Sequence, residues 1–339
     1  MERIGYRAAV ARQPESLATC LSTLSELAND SRLASFRQGP LALVGIGASY
    51  QVALAGAQYL RQAGISAHAL YPAELDTSAG DFYRGIMLMS ASGESAEILD
   101  AATLSAGLPR LALCRAADNP LARQADIMIA TESGADNGAS STGYTGMLLA
   151  IALLAHALSG TGIPSELTTL PRTIAGLLHD NVEPSIQAAR RLADCSAIDL
   201  VGGGLELATA GEGAILIREA VRLPAFAWEV RNYLHGPMES QDNRTGLIAL
   251  GDGDEPRIAA EAAAFGCTSI LLTSQPPVPS GATHMQLPAV ANPIARAVAT
   301  IVAIQMIVAE MQDAAGLTDT RFRYPQSDTK RRAEQPKPA

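Results

Sequence analysis

Short apolar runs alternate with stretches of helical period along most of this chain. From Arg7 to Leu33 apolar residues recur at helical spacing, until Gly39-Pro40 breaks the pattern and Leu41-Ala42-Leu43-Val44 opens a run of strand type. Ile86-Met87-Leu88-Met89, a helix from Ser95 to Leu104, Arg110-Leu111-Ala112-Leu113-Cys114, a short helix at Pro120 to Gln124 and Ile127-Met128-Ile129 follow in turn. Apolar runs four or five residues long, separated by helical segments, predict βαβ units on a parallel sheet. A helix around Met147 to Leu158 closes this cycle, and Gly160, Gly162 and Pro164 mark its end.

A helical segment with a polar face, Pro171 to Ala193, leads to a second cycle of the same design. It opens at Ile198-Asp199-Leu200-Val201, runs into Gly202-Gly203-Gly204, and continues through a helix from Gly211 to Leu223. Strands at Leu247-Ile248-Ala249-Leu250 and Ser269-Ile270-Leu271-Leu272, a helix Glu255 to Phe265 between them and a last helix Pro293 to Met311 complete it. The halves match in order and length, so the architecture repeats. The fold class expected is α/β: two tandem domains, each a parallel sheet between layers of helices. The expected boundaries are a helical arm at 1–36, a first domain at 37–163, a connecting helix at 164–194, a second domain at 195–312 and a tail at 313–339.

Composition narrows the functional classes. Of 339 residues, 48% are hydrophobic and 4% aromatic, which disfavours a disordered chain or an all-β sandwich. The net charge is −9, and the one basic block is Lys330-Arg331-Arg332, so no nucleic-acid partner is expected. The run Met147 to Leu158 is about a dozen residues, short of the roughly 20 that span a bilayer, so a core helix and no membrane partner are expected. Met1-Glu2-Arg3-Ile4-Gly5 lacks the apolar stretch of a signal peptide. Cys20, Cys114, Cys195 and Cys267 are scattered and read as buried small hydrophobes in a reducing cytoplasm. No His/Asp/Glu cluster has metal-ligand spacing, and neither a metal nor another cofactor is expected.

Ligands of open parallel sheets bind beyond the carboxyl ends of the strands. Three of the loops there are rich in Gly, Ser and Thr: Gly45-Ile46-Gly47-Ala48-Ser49-Tyr50, Ser90-Ala91-Ser92-Gly93-Glu94-Ser95, and Ser140-Ser141-Thr142. One such loop would be read as helix capping. Several, each after a strand, predict hydroxyls and backbone N–H groups converging on the phosphate of a small metabolite. A dinucleotide site fits less well, because Tyr50 stands where the third glycine of that fingerprint belongs and no acidic ribose reader follows.

These loops, with Gln13-Pro14, the stretch Ala125-Asp126 through Asp136, Gly138, Glu219 and Leu234-His235-Gly236-Pro237, resemble the sugar isomerase (SIS) domain family. More narrowly they resemble its tandem-domain members, the isomerase half of glucosamine-6-phosphate synthase among them. The resemblance implies two tandem SIS domains and a phosphosugar substrate whose phosphate is held by Gly47, Ser49, Ser90, Ala91, Ser92 and Ser95, with Ala139 and Ser141 against the sugar. It implies Glu219 as the base that moves a proton between C1 and C2, and His235 as the group that opens the ring, reaching the site from the neighbouring subunit of a homodimer. Lys330 is implied as a third catalytic residue by a shifted match of the tail. Glu and His are also what enediol or enolamine chemistry asks for, since burial brings both near neutrality.

The sequence departs from the family in three places. It begins without a Cys after the initiator, so glutamine hydrolysis is not expected and any nitrogen is exchanged as free ammonia. Leu216 stands where family helices carry a Lys, and Ala91 where the hydroxyl loop carries a Gln. The leading expectation is conversion of glucosamine 6-phosphate to fructose 6-phosphate and ammonia. The alternatives are a deglycase for fructosamine 6-phosphates and a non-catalytic phosphosugar-binding regulator.

Overall fold

The computed structural model describes residues 4–277, 279–317, 322–324 and 326–331. Lys330 and Arg331 fall inside them, and Arg332 outside.

The first sheet has five parallel strands, β1 (Leu41–Val44), β2 (Ala67–Leu70), β3 (Gly85–Met89), β4 (Arg110–Cys114) and β5 (Ile127–Ala130), in the order β2-β1-β3-β4-β5. The second has β6 (Ala197–Gly202), β7 (Ala225–Glu229), β8 (Thr245–Leu250), β9 (Thr268–Thr273) and β10 (Thr283–Gln286), in the order β10-β9-β8-β6-β7. Read from the opposite edge, the second order is the first one over again.

Both sheets are covered on both faces, and alternation along a strand decides what covers each. In β1, Ala42 and Val44 pack with Ile86, Leu88, Ile98, Leu99 and Ala102, which puts the helix Ala96–Leu104 on that face. Leu43 points the other way, where Gly56 of the helix Ala48–Gln62 lets it meet Ile151 of the helix Thr142–Ser159. In β6 the pattern recurs. Val201 packs with Leu247, Ile258 and Ala262, while Leu200 meets Gly213 and Ile304 from the helices Glu206–Leu216 and Pro293–Ala314. Continuous apolar strands are what a sheet buried on both sides requires.

Three strands have no counterpart in the hydrophobic pattern. β2 (Ala-His-Ala-Leu), β7 (Ala-Phe-Ala-Trp-Glu) and β10 (Thr-His-Met-Gln) are edge strands that bury one residue each. The segment expected as one connecting helix holds three, Ser165–Thr168, Leu170–Asp180 and Val182–Leu192. The helix expected at Gly211 to Leu223 starts at Glu206 and ends in a π-turn over Ile217–Val221.

The apolar helix read as about a dozen residues is Thr142–Ser159, 18 residues long, and Pro293–Ala314 is longer still. Both are long and apolar enough to cross a membrane, but 89% of the most apolar stretch of each is buried inside the protein, which is how a core helix uses that surface.

The chain divides into two compact units. One is built on the first sheet from residues 16–134 and 143–163 and takes in the described tail from Arg323. The other is built on the second sheet from residues 164–322, with 1–15 and 135–142. The N-terminal arm is thus shared between units. In the second, the buried Gln13 donates from Nε2 to Oε1 of Gln305 at 2.7 Å, and Gln305 donates to the Ser141 carbonyl at 3.5 Å.

Candidate functional site

In the unit of the first sheet, β1 has β2 on one side and β3 on the other, so the loops after β1 and β3 part and leave a crevice. Those are the two hydroxyl-rich loops. Gly45 makes the first possible: a Cβ there would land on the Ser49 backbone. Gly47 follows with φ +59°, ahead of the helix that carries Ser49.

In the second loop Ser90 accepts the Gly93 N–H at 3.1 Å, and its oxygen lies 3.1 Å from that of Ser95. Ser92 accepts the Glu94 N–H at 3.2 Å. The tail supplies one more group, since the Lys330 ammonium donates to Ser92 at 3.0 Å and to Ser95 at 3.3 Å. Because the Ser92 oxygen accepts twice, its hydrogen is left to donate outward, as an anion requires. Ser49, Ser90 and Ser95 are buried, and Ala91 and Ser92 half-buried.

The matching crevice of the second sheet, between the loops after β6 and β8, is already filled. The Glu255 carboxylate accepts the Gly203 N–H at 3.2 Å and the Gly253 N–H at 2.8 Å. An anion from within the chain takes the place that in the first sheet is lined by hydroxyls.

The unit of the second sheet carries a group of acids. Glu219 lies in the π-turn Ile217–Val221, a distortion that recurs at functional sites, and burial pushes its carboxyl up to about 7. Two helical turns earlier, Glu212 is fully buried, and neither of its oxygens has a hydrogen-bond partner among the described residues. Burial raises it well above the ordinary carboxylate range, and the charges of Glu219 and Asp136 raise it further. Tyr6, whose buried hydroxyl also lacks a partner among the described residues, is raised by burial and by Glu212, Asp136 and Glu219. Asp136 accepts from the Ser141 hydroxyl at 2.6 Å, which fixes the loop that holds the buried Ala139 and Ser141.

Residues 36–157 match the family model described as the SIS domain. This stretch is a SIS domain. It is 28% identical over 268 residues to glutamine–fructose-6-phosphate aminotransferase (isomerizing) of Acidithiobacillus ferridurans, a match covering 71% of this chain and 44% of that protein. The chain therefore spans less than half of that relative's length. Among solved structures it is similar to the C-terminal domain of the Francisella tularensis glucosamine-fructose-6-phosphate aminotransferase, with TM-score 0.81 at 18% identity over 92% of this chain and 96% of that one. It is also similar to glucosamine-6-phosphate deaminase of Thermotoga maritima, with TM-score 0.75 at 16% identity over 92% and 95% of the two chains. The fold is two SIS domains, each a five-stranded parallel sheet flanked by helices.

Within the first SIS domain the structure brings together Ser90, Ser92, Ser95 and Lys330, and sets Gly47 and Ser49 on the neighbouring loop of the same crevice. In the other unit, Glu219 shares its surroundings with Glu212, Tyr6 and Asp136, while His235 is exposed in the turn after the short helix Val230–Tyr233 that follows β7. Sequence reasoning missed Glu212 and Tyr6. Glu212 had a signal, a carboxylate two helical turns before Glu219 in the same helical segment. Tyr6 had none.

Removal of the Ser92 hydroxyl by Ser92→Ala is expected to weaken fructose 6-phosphate binding by about 10- to 100-fold, the worth of one hydrogen bond to a charged acceptor. Calorimetric titration of both proteins checks this, and equal affinities would take Ser92 out of the site.

Proposed function

We propose that this SIS protein is a phosphosugar isomerase/deaminase that converts glucosamine 6-phosphate and water to fructose 6-phosphate and ammonia. The observation that carries the reading is Glu219: a carboxyl held in a π-turn and poised near 7 is matched to taking a proton from carbon and returning it to the neighbouring one. The hydroxyl loops of the first domain hold the phosphate, and Ala139 and Ser141 bound the sugar. His235, exposed on its own chain, acts on the ring oxygen in the site of the neighbouring subunit of a homodimer. Once the ring is open, Glu219 takes the proton from C2 and delivers it to C1. The imine now at C2 is hydrolysed to the ketone, and ammonia leaves. The work is that of a soluble cytoplasmic enzyme.

Two further observations support an amine-bearing substrate. Glu212 is buried with no hydrogen-bond partner for either oxygen among the described residues, and Leu216, one turn along the helix, offers it none. A protonated amine, or the ammonium ion it becomes, would donate to these oxygens and favour the charged form of a carboxyl that burial otherwise holds protonated. The deaminase of Thermotoga maritima is also among the proteins that share the fold.

The test is a panel of hexoses, hexosamines and their 6-phosphates, read for ammonia and ketose. Glucosamine 6-phosphate is expected to yield both in equal amounts, and glucosamine neither. Saturating fructose 6-phosphate, at 100 times its Kd, is expected to stabilise the fold by about 2.7 kcal/mol in a thermal scan, and fructose not at all. Binding without turnover of any phosphorylated sugar would turn the assignment to a regulator.

A further inference from the structure

The structure assigns Lys330 to the phosphate: its ammonium is the cation of the phosphate site in the first domain, carried there by the tail and standing in for the missing donor at Ala91. The inference rests on the reading that the hydroxyl loop after β3 binds a sugar phosphate.

Four observations place it. The tail is paired to the loop through its backbone, with the Ala96 N–H donating to the Thr329 carbonyl at 3.2 Å and the Arg331 N–H to the Glu94 carbonyl at 2.8 Å, around an antiparallel bridge between Ser95 and Lys330. Arg331 pins the strand from outside, both of its terminal nitrogens on the Asp100 carboxylate at 2.5 and 2.8 Å. That leaves Arg331 committed to Asp100 and the ammonium of the exposed Lys330 on the loop hydroxyls of Ser92 and Ser95. Its neighbours Glu94 and Glu97 are both acidic, so a phosphate dianion at this loop would meet repulsion without a cation beside it.

Position also decides between two tasks for this side chain. A lysine that attacked the carbonyl would have to lie at C1 or C2 of the sugar, whereas the hydroxyls it touches serve the phosphate on C6, the opposite end of a hexose chain. Burial lowers the ammonium from its usual range, against the pull of Glu94 and Glu97, and a bound dianion would favour its charged form further. Ala91 offers no side-chain donor, and Lys330 makes up the loss with a charged one.

The experiment compares the full chain with Lys330→Ala, Lys330→Arg and Arg331→Ala, using inorganic phosphate and fructose 6-phosphate as titrants and borohydride with mass spectrometry as a trap for a sugar bound to lysine. Lys330→Ala is expected to weaken both ligands by about 10- to 100-fold and to raise KM with kcat nearly unchanged. Lys330→Arg should keep most of the affinity, Arg331→Ala should lose a few-fold by loosening the tail, and borohydride should leave no sugar on the protein. Wild-type affinity in Lys330→Ala would overturn the inference while leaving the hydroxyl-loop reading intact. So would a borohydride adduct on Lys330 with kcat collapsed and affinity kept. If the wild-type chain binds neither ligand, the hydroxyl-loop reading fails and takes this inference with it.

Discussion

Glu219→Gln is expected to abolish proton exchange at C2 of the bound sugar, a loss of about 10²- to 10⁴-fold or more, while phosphosugar affinity stays within a few-fold of wild type. The amide keeps the shape of the carboxylate and cannot take up the proton. Deuterium uptake from solvent into recovered substrate, followed by NMR, separates chemistry from binding, and undiminished uptake would move the base elsewhere. The raised carboxyl also sets a pH profile. A base poised at about 7 is charged above that value, so the rate should rise through pH 6–8 and level off.

Stability runs the other way. An ordinary Glu in the unfolded chain ionises near 4.3, so between about 4.5 and 7 the folded state holds the extra proton and stability falls as pH rises. Above pH 7 the full cost is present, about 2–3 kcal/mol once partial access of water is discounted. Glu219→Gln should therefore be more stable than wild type at pH 8 and equal to it near pH 4. His235→Ala should lose activity on the closed-ring substrate, and mixing it with Glu219→Gln should restore part of it, because one hybrid site then has both groups intact. Mixtures as inactive as their parts would put His235 outside the neighbouring subunit's site.

Gly93→Ala should be the most disruptive small change in the hydroxyl loop. Gly93 has φ +66°, and a Cβ on it would land on the Asn119 side chain. Asn119 cannot step aside, because it donates to the Ala116 carbonyl at 2.7 Å and accepts the Ala122 N–H at 2.9 Å. The left-handed conformation costs an alanine about 1 kcal/mol and the overlap about 1–3 more. A total of about 2–4 kcal/mol should appear as a lower urea midpoint, and phosphate affinity should fall with it because Ser90, Ser92 and Ser95 move together. Gly107→Ala is the control: nothing lies within 4 Å of its Cβ position, and the midpoint should hold within about 0.5 kcal/mol. A Gly93→Ala protein with the wild-type midpoint would sink the steric argument.

Much of this protein is written locally. β1, β3, β4, β8 and β9 are legible because a strand buried on both faces must be apolar at nearly every position. The loop Ser90 to Ser95 is legible as a turn because its hydroxyls and glycine break the apolar run of β3 just before a helix. From the same sequence the repetition of the unit follows, whereas the roles proposed for Glu219 and His235 come from their resemblance to one family. What the sequence does not contain is which distant groups meet. β2, β7 and β10 carry mixed residues because an edge strand shows water one side, so their pattern is that of a loop, and only hydrogen bonding to a neighbour makes them strands. The π-turn at Ile217–Val221 has no composition of its own. Lys330 reaches Ser92 across 238 residues, and Tyr6 shares surroundings with Asp136, Glu212 and Glu219 from two other segments. Hydrophobic periodicity is a property of neighbours in the chain and so survives in the sequence, whereas burial, charge and the matching of donor to acceptor belong to neighbours in space, which packing alone brings together.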